Sequence, residues 1–71
     1  MITKEIRLDI KHSDKMIESI KDYEKKYIIE DTKYYEEDNF LYVVFGHQFD
    51  FDRIYPLLLK LNIDFIRIKY E

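Results

Sequence analysis

Two hydrophobic rhythms alternate along this chain, and their order predicts its elements. From Glu5 to Lys11, Ile6, Leu8 and Ile10 alternate with Arg7, Asp9 and Lys11, the period of two that marks a half-buried strand. His12-Ser13-Asp14 then reads as a helix start, because a serine hydroxyl can accept a free backbone N–H and an aspartate meets the positive end of the dipole. Met16, Ile17, Ile20, Tyr23 and Tyr27 draw one apolar stripe down that helix, opposite Lys15, Glu18, Lys21, Asp22, Lys25 and Lys26.

Ile28 to Glu36 predicts a weaker strand, with Thr32, Tyr34 and Tyr35 favouring extension and acids beside it, as befits a sheet edge. Glu36-Glu37-Asp38-Asn39 is a hairpin turn, since Asp and Asn tolerate left-handed backbone. It leads into Asn39–Gly46, the most strand-like window of the chain, with Phe40, Leu41, Tyr42, Val43, Val44 and Phe45 in succession. After the loop His47–Asp52, Ile54, Leu57, Leu58 and Leu61 predict a second helix from about Arg53 to Leu61, capped by Asp52, started near Pro56 and ended by Asn62. Ile63 to Tyr70 alternates again as a last strand, with Ile66, Ile68 and Tyr70 opposite Phe65, Arg67 and Lys69. The faces of Tyr34 and Tyr35 stay open, because a slip of one residue exchanges them.

The order β-α-β-β-α-β in one domain, residues 1–71, predicts an α+β, ferredoxin-like sandwich: a four-stranded antiparallel sheet in the order 4-1-3-2 with both helices on one face. With Ile6, Leu8, Ile10, Leu41, Val43, Phe45, Ile66 and Ile68 toward the helices, the other face shows Arg7, Asp9, Lys11, Phe40, Tyr42, Val44, Phe65, Arg67 and Lys69. Such a half-apolar, uncovered face marks an interface, with a protein partner or in a homodimer.

Composition sharpens this expectation. A chain of 71 residues without cysteine builds a small core that neither disulfides nor thiolate metal sites reinforce, which favours association. No apolar run is long enough to span a membrane, and Met1-Ile2-Thr3-Lys4-Glu5 lacks the apolar core of a signal peptide, so a cytoplasmic, non-membrane protein is expected. The net charge of −3 conceals an asymmetry: from Ile29 to Asp52 there are seven acids and one base, Lys33. Glu30, Asp31, Glu36, Glu37 and Asp38 concentrate that charge on the second strand and the hairpin tip. Edge protection accounts for such charge; so does the engagement of a basic nucleic-acid-binding groove, with carboxylates standing where phosphates are expected.

No catalytic, metal or nucleotide motif occurs, so an enzyme is not expected, nor a metal or other cofactor. His12, Ser13, Asp14, His47, Gln48 and Asp50 would lie at one end of such a sheet, where two histidines and a carboxylate could hold a metal; ordinary loop residues are the weightier reading. Phe40 and Tyr42, flanked by Arg7 and Lys11, resemble the base-stacking site of the RNA-recognition motif. The chain departs from that motif at Asp38-Asn39-Phe40 and at Arg7, and its net acidity argues against direct nucleic-acid binding. The topology is also similar to ACT-like regulatory domains, with Lys11-His12-Ser13 where those typically carry glycine. In size, acidity and lack of a catalytic motif, the whole chain resembles the small inhibitors of phages and mobile elements, such as anti-CRISPR and DNA-mimicking host-takeover proteins. That resemblance implies a small inhibitor or regulator that binds a protein. The expected contact residues are Glu30, Asp31, Glu36, Glu37, Asp38, Phe40 and Tyr42, with a single-stranded nucleic-acid platform on Phe40 and Tyr42 as the alternative.

Overall fold

The structure is a computed structural model and describes residues 1–26 and 32–71. β1 (Thr3–Asp9) runs through a 3₁₀ turn (Ile10–His12) into α1 (Ser13–Lys26); β2 (Lys33–Glu37) and β3 (Phe40–Val44) form a hairpin; α2 (Asp50–Lys60) precedes β4 (Phe65–Tyr70). The four strands make one antiparallel sheet in the order β2-β3-β1-β4, which places β2 at an edge as its acids suggest. No helix among the described residues is long and apolar enough to cross a membrane.

One core holds the layers together. Ile6, Leu8, Leu41 and Val43 from the two central strands, Met16 and Ile20 from α1, and Ile54 and Leu58 from α2 are all within 1% of full burial and belong to one cluster with Phe45, Phe51 and Ile63. Burying each such aliphatic side chain contributes about 1.5–3 kcal/mol. The period-two and period-3.6 stripes therefore meet where the sequence aims them.

The turns follow from single residues. Asp38 and Asn39 both have positive φ, 50° and 68°, so the two-residue β2–β3 loop has the backbone that matches strand twist. Asn62, at φ 56°, ends α2: its N–H donates to the Leu59 carbonyl at 3.1 Å and that of Ile63 to Leu58 at 2.9 Å, the paired bonds of a Schellman motif.

Four expectations are corrected. β1 stops at Asp9, whose Oδ1 accepts the Lys11 N–H at 2.9 Å and caps the 3₁₀ turn. Ser13 is thus the first residue of α1 and does no capping; its hydroxyl donates to Glu36. α2 begins at Asp50, one turn before Arg53, and Pro56 lies inside it. The carbonyl that Pro56 cannot serve belongs to Asp52, four residues back, and both residues are exposed. Finally, the faces of β4 are exchanged from Phe65 to Arg67, whereas a bulge beyond Arg67 sets Lys69 opposite Glu5 on the open side, where it was expected. Phe65 pairs with Leu8 and Arg67 with Ile6 on the helix side, while Ile66 pairs with Arg7 on the open side. The Schellman motif buries Ile63 beneath Leu58, and alternation from there carries Phe65 and Arg67 inward and Ile66 outward, leaving Ile66 54% exposed. Phe65 packs edge-on against Phe51 at 5.7 Å and Tyr55 at 5.9 Å. Arg67 lies over Phe51 and Phe65 and donates from Nε to Thr3 Oγ1 at 3.1 Å. The expected start of the second strand, and Tyr27 at the end of the first helix, lie outside the described residues; β2 is seen from Lys33.

Candidate functional site

The acidic hairpin divides between the two sides of the sheet. Glu36, opposite Leu41, points to the helix side, and its Oε1 accepts the Ser13 hydroxyl at 2.7 Å, tying β2 to the start of α1. Glu37, opposite Phe40, lies on the open side, and Asp38 is the first residue of the turn; both are exposed. Glu30 and Asp31 lie outside the described residues. The hairpin thus presents Glu37 and Asp38 outward, while Glu36 is structural.

Behind that tip the open face is ordered by contacts between neighbouring strands. Tyr35 and Tyr42 stack with centroids 4.8 Å apart and planes 3° from parallel. The Tyr35 hydroxyl donates to Glu5 Oε2 at 3.2 Å, and Lys69 Nζ reaches Glu5 Oε1 at 3.6 Å. Desolvation, the hydrogen bond to Glu5 and the charges of Glu5 and Glu37 all push the proton affinity of Tyr35 above its ordinary 10.0. Arg7, at the centre of the face, sets its guanidinium 4.3 Å from the Phe40 ring centroid. The expected aromatic cluster is therefore present, but one face of Tyr42 and one of Phe40 are already occupied by the chain's own side chains.

At the strand-end corner the residues serve the entry to α2. Asp50 is fully buried, and its Oδ2 accepts the His47 N–H at 3.1 Å and the Thr32 hydroxyl at 3.0 Å. His47 Nδ1 accepts the Phe49 N–H at 3.2 Å, so the side chains of His47 and Asp50 satisfy two backbone donors just before α2. Among the described residues no group of three His, Asp or Glu side chains has metal-holding geometry.

The sequence reading passed over Glu5, left the face of Tyr35 open, and named Asp50 only as a carboxylate of a possible metal-holding corner. A carboxylate at an alternation position facing an edge-strand tyrosine was the available signal for the first two. Asp50 carries none, because its burial depends on Thr32 approaching from another part of the chain. Set against protein-family models, curated proteins and solved structures, the chain matches none of them.

Proposed function

We propose that this chain is a ferredoxin-like binding domain without enzymatic activity, a small inhibitor or regulator that engages a nucleic-acid-handling protein such as a CRISPR effector. The strand order read from the β4 edge, β4-β1-β3-β2, and the single core shared by both helices support the fold assignment. One observation carries the functional reading: Glu37 and Asp38 project from a tight two-residue turn whose stem is braced by the Ser13–Glu36 hydrogen bond. Carboxylates held this way form a preorganised negative edge, and complementary potential speeds encounter with a basic groove. The occupied faces of Phe40 and Tyr42 weigh against bases stacking there.

The test is capture by the tagged protein from nuclease-treated bacterial lysate. A bound protein should be released by duplex DNA or heparin, and Glu37→Lys/Asp38→Lys should abolish its capture while leaving the fold intact. Retention of the partner by the folded double variant overturns the acidic-tip reading. Recovery of nucleic acid, with every protein lost after nuclease, transfers the site to Phe40 and Tyr42.

A further inference from the structure

Arg7 leaves most of its bonding capacity unspent. It lies mid-sheet on β1, and its guanidinium carries five N–H donors. Among the described residues no carboxylate pairs with it, and its buried Nε has no hydrogen-bond partner. A partly buried guanidinium that is held only by the Phe40 ring forgoes charge-assisted hydrogen bonds of the strong kind.

The complementary group stands two residues away on the same strand. Asp9 is exposed, spends Oδ1 on the Lys11 amide, and leaves Oδ2 without a partner among the described residues. Arg7, Asp9 and Asp64 border one shallow depression of about 210 Å³, with Phe40 and Ile66 among its walls. The surface thus presents a cation and two acids around the same hollow. Around them stand the apolar Val44, Ile66 and Ile68.

We infer that a second copy of this chain covers the open sheet face, the Arg7 of each pairing with the Asp9 of the other. A surface with both signs on one strand is self-complementary under two-fold symmetry. In a face-to-face pair the axis lies between the sheets; an axis crossing β1 at Leu8 exchanges the levels of residues 7 and 9. At the roughly 10 Å spacing of packed sheets an arginine spans most of the gap and an aspartate the rest. The apolar residues around the pair supply the desolvated setting in which it contributes most, and a domain with so small a core gains from the added burial. This pairing uses neither Glu37 nor Asp38, so it stands or falls separately from the acidic-tip reading.

Sedimentation equilibrium on the unaltered chain and three variants tests it. The unaltered chain should approach twice its 8.9 kDa mass with rising concentration. Arg7→Glu alone places acid against acid and Asp9→Arg alone places base against base; each should weaken self-association on the order of 100-fold. An equimolar mixture of the two variants restores both opposite-charge contacts and should dimerise where neither variant does alone. Since Asp9 also caps the 3₁₀ turn, circular dichroism checks each fold, and Ile66→Glu serves as a second disruption of the same face. An unaltered chain that stays at 8.9 kDa at millimolar concentration, folded variants that dimerise undiminished, or a folded mixture that stays monomeric each overturns the proposal.

Discussion

The same strands build two unlike surfaces. On the helix side, Leu8, Leu41 and Val43 are closed off by α1 and α2, and Ser13, Asp50 and the exposed Arg67 each make a specific hydrogen bond there, while the second carboxylate oxygen of Asp50 has no partner among the described residues. On the open side, Val44, Ile66 and Ile68 are only partly covered or exposed, and order comes from pairs between strands: Tyr35 with Tyr42, Lys69 with Glu5, Arg7 with Phe40, and Tyr35 reaching across β3 to Glu5. The contrast separates what holds the fold from what is left uncovered. Apolar residues under the helices hold the fold, whereas those on the open side stay accessible.

Substitution on the two faces breaks the comparison most sharply. Leu58→Ala, which opens a cavity under the helices, should cost about 2–5 kcal/mol in urea unfolding, whereas Ile66→Ala, measured at dilution where the chain is monomeric, should cost under about 1 kcal/mol. Equal costs would mean that the open side is as much a core as the other.

Polar groups give the next largest effect. Asp50→Ala removes the acceptor of the Thr32 hydroxyl and of the His47 N–H inside the structure, and a loss of about 2 kcal/mol is expected by the same measurement. A negligible change would show that the buried carboxylate costs as much to desolvate as its two hydrogen bonds return.

The smallest effect distinguishes the sides by pH. Tyr35 has its folded-state proton affinity raised above 10.0, so its hydroxyl contributes stability that is whole below that value and is lost as pH climbs through the higher folded value. Unfolding free energies compared for the unaltered chain and Tyr35→Phe should differ by a constant amount up to about pH 9, and the advantage of the tyrosine should shrink above it. A difference independent of pH up to about 11 would mean that the Glu5 contact does not persist in solution.

Much of the fold was legible because local chemistry determines it. Alternation in β1 and β3, the apolar stripes of both helices, and left-handed Asp38, Asn39 and Asn62 each express a preference that a few neighbouring residues impose. The acidic hairpin was legible for the same reason. Its division into a structural Glu36 and an outward Glu37 was not, since that depends on Ser13 arriving from 23 residues away.

What the sequence by itself determined is therefore the order and kind of the elements, the antiparallel sheet and the location of surplus negative charge. Tertiary structure alone decided the phase of β4 and the role of Asp50. The reason is the same in each case. Phe65 and Ile66 are both good strand residues, so hydropathy leaves their faces degenerate, and only the burial of Ile63 by the helix end chooses between them. Asp50 likewise resembles any loop aspartate until Thr32 and the His47 amide close around it.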